Sequence, residues 1–184
     1  MGRFFGFFRL RLVGATVVLI AIVAFWNILL PAPSHAAPSA WSGKVVGVSD
    51  GDTITVMRDG RGIKIRLAEI DTPEKRQPYS QAAKRFTSEL CFRKVVTVKP
   101  TTIDRYGRLV GHVVTQDGRQ LNEELVRAGL AWQYKRYSKS AKLAALEAEA
   151  RKAKRGLWSE PNPIPPWEWR RARRGSRAPP AAGE

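Results

Sequence analysis

Val48-Ser49-Asp50-Gly51-Asp52-Thr53-Ile54 opens the stretch that decides the fold, and Arg66-Leu67-Ala68-Glu69-Ile70-Asp71-Thr72-Pro73-Glu74 closes it. Between them Asp59-Gly60 separates two alternating runs, Ile54 and Val56 before it, Ile63, Ile65 and Leu67 after it. Alternation puts every second side chain on one face of a strand, and Gly supplies the positive φ that a tight type I′ turn needs. The stretch therefore predicts a β-hairpin. Closing it brings its outer ends together, so that Asp52 lies near Asp71 and Glu74 with Arg66 beside them.

Grouped carboxylates next to a guanidinium suit phosphodiester chemistry. Carboxylate oxygens bind hard divalent cations, Arg neutralises charge on phosphoryl oxygens, and a free carboxylate deprotonates water. The same residues also suit plain turns. Asp-Gly-Asp caps many loops, and Thr72-Pro73-Glu74 has the form of a helix start, with Thr as N-cap and Pro at the first position. His35 and His112 fall outside the cluster and Cys91 is the lone cysteine, so no structural zinc centre is expected and an internal disulfide is excluded.

Before the hairpin, Lys44–Val48 reads as a strand. After it, the periodicity of Ala82, Ala83, Phe86 and Leu90 predicts a helix from Tyr79 to Cys91, with the cysteine buried or half-buried. Lys94–Thr102 and Arg108–Val114 read as two more strands around a Tyr106-Gly107 turn. Asn122 is expected to cap a short helix ending at Gly129. A last amphipathic helix starts at Ser138 or Ser140, carries Leu143, Leu146, Ala150, Ala153 and Leu157, and stops at Gly156. Five short strands, one helix after the third and helices at the end predict a small closed antiparallel barrel with about three helices, an α+β arrangement.

The ends of the chain differ in character. Arg3, Arg9 and Arg11 precede an apolar run, Leu12–Leu30, and Pro31–Ala36 follows with small residues. Residues 1–36 are expected to be a cleaved export signal, or else a membrane anchor, which places the rest outside the cytoplasm, periplasmic or secreted. Residues 37–160 form the expected folded domain. In 161–184, Pro161, Pro163, Pro165 and Pro166 interrupt regular structure, Trp167 and Trp169 invite packing back onto the fold, and Arg170–Glu184 reads as a disordered basic arm. The net charge is +16, of which residues 1–36 contribute three arginines and no acid. Such a field attracts polyanions or anionic membranes. Tyr79, Tyr106, Tyr134 and Tyr137, interleaved with basic residues, suit stacking on bases.

Four motifs in order resemble the thermonuclease (staphylococcal nuclease-like) family: Asp50-Gly51-Asp52-Thr53, Arg66 to Glu74, Asp104-Arg105-Tyr106-Gly107-Arg108, and Asn122 to Ala131. They span roughly Trp41 to Trp158. The resemblance implies an OB-type five-stranded barrel and a calcium-dependent endonuclease. It would hydrolyse DNA, with RNA left open, at low sequence specificity, leaving 3′-phosphate and 5′-hydroxyl ends. By residue match, Asp52, Asp71 and the Thr72 carbonyl are the metal ligands, Glu74 the general base, and Arg66 and Arg108 the phosphate clamps. Asp50 is read as ordering the turn, and Glu69 as a strand residue beside the site. Tyr106, Tyr134 and Tyr137 are the candidate substrate contacts. Tyr137 matches the second of the family's two tyrosines in this region, whereas the first falls on Lys135, with Tyr134 one position away. A monomer without organic cofactor is expected. The rival reading is a catalytically inactive nucleic-acid-binding module on the same barrel; a third is a basic envelope protein held by its N-terminus.

Overall fold

The computed structural model describes residues 39–175. Strands β1 (Trp41–Asp50), β2 (Thr53–Arg58), β3 (Arg61–Leu67), β5 (Val95–Ile103) and β6 (Leu109–Thr115) close into a barrel in the order β1-β2-β3-β6-β5. The short strands β4 (Ile70–Asp71) and β7 (Trp132–Gln133) pair beside it. Helices α1 (Ser80–Cys91), α2 (Leu121–Arg127), α3 (Ala141–Lys152) and α4 (Pro166–Gly175) and a 3-10 turn at Gly156–Ser159 complete the described residues. This is the five-stranded OB-fold architecture that the strand pattern and the motifs anticipated.

The hairpin forms as its alternation demands. Arg58 pairs with Arg61 across a two-residue turn in which Asp59 and Gly60 both have positive φ, the I′ geometry. Ile54, Val56, Ile65 and Leu67 point inward and are essentially fully buried, with Val45, Val96, Val98 and Val113 filling the same core. Closure depends on β1 serving two neighbours. Trp41–Lys44 pair with β5, Val45–Asp50 with β2, and register shifts at Val45/Gly47 and Val48/Asp50 bend the strand between them. The other side departs from the antiparallel closure expected: β3 and β6 pair parallel, Ile65 against Leu109 and Arg66 against Val110.

Several local expectations are corrected. The buried face of α1 is Ala83, Thr87, Leu90 and Cys91, with Ala82 and Phe86 at its margin. Asn122 is not a cap: it lies inside α2, where its side chain accepts from the Val113 N–H (3.1 Å) and donates to the Ala68 carbonyl (2.8 Å). Helix α3 starts at the Ser140 cap as read, but ends at Lys152, and Leu157 is buried from the 3-10 turn instead. Expected disorder from Arg170 is also wrong as far as Gly175. Pro166 occupies the first position of α4, where its missing N–H costs nothing, and the helix runs on through Arg170. That makes four α-helices among the described residues.

Membrane attachment is corrected too. Among the described residues no helix is long and apolar enough to cross a membrane. The apolar run at Leu12–Leu30, on which the signal or anchor reading rested, lies outside the described residues.

Candidate active site

The site is built where the hairpin closes. Thr53 is paired with Arg66, and the Leu67 N–H donates to the Asp52 carbonyl (2.8 Å), so the β1–β2 turn and the end of β3 are locked together. The chain then turns through Ala68-Glu69 and enters β4, which carries Asp71 against Trp132 of β7. From below, α1 presses on the turn. Thr87 Oγ1 donates to the Gly51 carbonyl (2.6 Å), and a Cβ at Gly51 would lie 2.7 Å from that of Ala83 and 2.9 Å from Thr72 Oγ1. Only glycine fits between helix and site.

Asp52, Asp71 and Thr72 are buried together, and Arg66 spans the two carboxylates, Nη1 to Asp52 Oδ2 at 3.0 Å and Nη2 to Asp71 Oδ1 at 2.8 Å. Thr72 is not a helix cap. Its N–H and its hydroxyl both donate to Asp52 Oδ2, each at 2.9 Å, and thereby aim that carboxylate. Glu74, half-buried, is held by its own N–H donating to Gln77 Oε1 (2.9 Å). Asp50 accepts the Asp52 N–H (3.2 Å), the turn-ordering contact.

Burial dominates the electrostatics of the acids. The Asp50 carboxyl is pushed up to about 6, first by burial and then by the charge of Asp52. Asp71 is also raised, again by burial first, with Asp52 adding to the rise while hydrogen bonds and charge from Arg170 and Arg66 oppose it. All donors are oxygen, which suits a hard cation such as calcium. Among the described residues no group of three or more His, Cys, Asp or Glu is arranged to hold a metal. Two carboxylates are what the site offers, so further ligands would be main-chain oxygen and water.

The remaining expected residues stand around the cluster rather than in it. Arg108 Nε and Nη2 both donate to Asp104 Oδ2 at 2.7 Å, and its guanidinium lies 5.5 Å from the Tyr106 ring centre. Burial alone would raise Asp104, but hydrogen bonds from the Arg108 main chain and side chain and the Tyr106 N–H outweigh it, holding its carboxyl below the usual range. Tyr106 and Tyr137 are exposed, and Tyr134 packs edge-on against Tyr137 (4.8 Å). All three tyrosines, Arg66, Arg108 and the acids line one open cleft of about 1420 Å³. Tyr79 is elsewhere, bonded to Ser159 at 2.7 Å. Glu69 is corrected from strand to a left-handed turn (φ 64°), where it accepts from Ser138 (2.9 Å), faces His112 (3.4 Å), and receives the Tyr134 N–H on its carbonyl (2.8 Å). It anchors the tyrosine segment to the turn.

One residue in the cluster escaped sequence reasoning. Arg170 of α4 donates through Nη2 to Asp71 Oδ2 (2.8 Å), through Nη1 to Asp71 Oδ1 (3.3 Å), and through Nη1 to Glu74. Trp167, one turn earlier, stacks on Tyr134 with centroids 5.4 Å apart and planes 5° from parallel. The only signal was the density of arginine and tryptophan in that segment, which does not specify a target.

An oxygen-lined acidic cluster beside arginines, in an open cleft on a five-stranded barrel, defines the class as an OB-fold protein with a charged surface cleft. Comparison with known proteins makes this particular. The family model described as staphylococcal nuclease homologue matches residues 64–160. A protein of Escherichia coli described as an uncharacterized endonuclease is 48% identical over 128 residues, covering 70% of this chain and 84% of the relative. A protein of Shigella flexneri named micrococcal nuclease is 39% identical over 173 residues, covering 89% and 92%. An uncharacterized endonuclease of Haemophilus influenzae is 42% identical over 129 residues, covering 70% and 72%. The chain belongs to the staphylococcal nuclease family, and membership supports a nuclease, phosphodiester-hydrolysing function.

Proposed function

We propose that the chain is a calcium-dependent nuclease of low sequence specificity, acting on DNA in the first instance and leaving 3′-phosphate and 5′-hydroxyl ends. The observation that carries this reading is the convergence of Asp52 with Arg66, Asp71 and Glu74 of a second segment on one cleft. In this reading Asp52, Asp71 and the Thr72 carbonyl hold the cation, which supplies polarisation of the phosphoryl group when bound. Thr72 keeps Asp52 aimed and Arg66 keeps the two carboxylates in register. Glu74 Oε takes the proton of the attacking water. Arg66 and Arg108 present planar donors to the phosphoryl oxygens, a task that favours guanidinium over ammonium. Tyr106, Tyr134 and Tyr137 form the wall on which bases stack, and the net charge of +16 raises the rate of encounter with polyanions.

The test is cleavage of labelled single- and double-stranded DNA by the full chain in calcium, in magnesium and in chelator, beside Glu74→Gln. Calcium-dependent cutting that falls by about a hundredfold or more in Glu74→Gln, with DNA binding retained, is expected of a lost general base. Tight binding without cutting in all three conditions would make the barrel a binding module instead.

A further inference from the structure

Helix α4 lies beyond the residues matched by the family model, yet it reaches the centre of the site. Trp167, Arg170, Arg171 and Arg174 all line the cleft, a spacing that places them on one helical face. The segment before it is a proline-rich connection, Pro161 to Pro165, fastened by Gln77 Nε2 donating to the Ile164 carbonyl (2.5 Å). Gln77 is the same side chain that receives the Glu74 N–H, so the loop of the acid and the root of the helix share one anchor.

What α4 brings to the cleft is a set of stand-ins. Arg170 puts positive charge on Asp71 and Glu74, and with Arg66 it engages both oxygens of Asp71. Arg66 sits on Asp71 Oδ1 and leaves Oδ2 to Arg170, so that oxygen must give up its guanidinium partner before it can take a divalent cation. Trp167 covers the face of Tyr134, the surface a base would stack on.

We propose that α4 is an autoinhibitory latch that competes with the metal at Asp71 through Arg170 and with a nucleotide base at Tyr134 through Trp167. The proposal rests on the nuclease reading for its consequence, but its metal half is tested without catalysis. Opening swings the arginine face off the acids, and nucleic acid provides the counter-charge that Arg171 and Arg174 then meet. A protein closed nine-tenths of the time binds its ligand about tenfold more weakly than its open form.

The experiment is calorimetric titration of the full chain with calcium, for wild type, Arg170→Ala, Trp167→Ala, and Arg61→Ala as a charge-matched control on the remote hairpin turn. Circular dichroism confirms that each is folded. Arg170→Ala is expected to bind calcium about tenfold more tightly, Trp167→Ala more tightly by a smaller factor, and Arg61→Ala like wild type. In cleavage assays at limiting calcium, Arg170→Ala should be the faster enzyme by a similar factor. Unchanged or weaker calcium affinity in Arg170→Ala, or no calcium binding by any of the proteins, overturns the latch. If affinity rises but nothing cleaves, the latch stands and the nuclease reading fails. If wild type cleaves through Glu74 while Arg170→Ala cuts more slowly at unchanged affinity, the nuclease reading stands and Arg170 is a phosphate contact instead.

Discussion

Replacing Asn122 with alanine tests whether the site is held by a buried polar strut. Asn122 is 1% exposed and joins three elements: its own helix α2, the Val113 N–H of β6, and the Ala68 carbonyl at the turn that leads to Asp71. Alanine removes both partners at once and leaves a buried donor and a buried acceptor facing a small void. An unsatisfied buried polar group costs about 1–3 kcal/mol, so the pair should cost about 2–6 kcal/mol, less whatever water recovers. The expected result is a clear fall in the urea midpoint, followed by tryptophan fluorescence, with the slope of the transition unchanged. Calcium affinity should fall in parallel, because the Ala68-Glu69 turn sets where Asp71 stands. Asn122→Asp separates the two bonds: it can still accept from Val113 but cannot donate to Ala68 when ionised. A loss below about 0.5 kcal/mol in Asn122→Ala, the range of ordinary surface changes, would refute the strut.

The remaining predictions concern the turn and the core. Gly51→Ala should weaken metal binding and activity together, because its Cβ would lie 2.7 Å from Ala83 Cβ and 2.9 Å from Thr72 Oγ1, displacing the group that aims Asp52. Calcium titration of the folded variant checks it, and wild-type affinity would mean the helix gives way instead. Burial pushes the Cys91 thiol up to about 12, against an ordinary value of 9.0, so it should resist thiol reagents at pH 8 until the protein unfolds. A raised folded value favours the protonated form, so this stabilisation is present below pH 9 and is lost as pH rises towards about 12. Across that window the urea stability of wild type should fall relative to Cys91→Ala by about 1.4 kcal/mol per pH unit; parallel profiles would rule out the linkage.

The barrel and the acid cluster were legible in the chain because their causes are local. Alternation of Ile54, Val56, Ile63, Ile65 and Leu67 sets which face is buried, and Asp59-Gly60 sets the turn, so pairing Thr53 with Arg66 follows almost by geometry. Cys91 was placed by the same periodic reasoning. Asn122 was misread because a polar residue at the start of an apolar run looks like a cap whether its partners are its own helix or another strand. Ala153 and Leu157 fitted the helical period of α3, yet the chain leaves the helix at Lys152, with Lys154 and Gly156 both at positive φ.

By itself the sequence determined the hairpin, the five barrel strands in chain order, the strongly basic net charge and the approach of Asp71 and Arg66 to Asp52. Only the tertiary structure decided that Thr72 aims Asp52, that Glu69 anchors the tyrosine segment, and that α4 enters the site. The physical reason is range. Hairpin geometry is set by neighbours a few residues apart, whereas Arg170 meets Asp71 across 99 positions of chain. Which of many arginines fills an acidic pocket depends on the packing of every element between them.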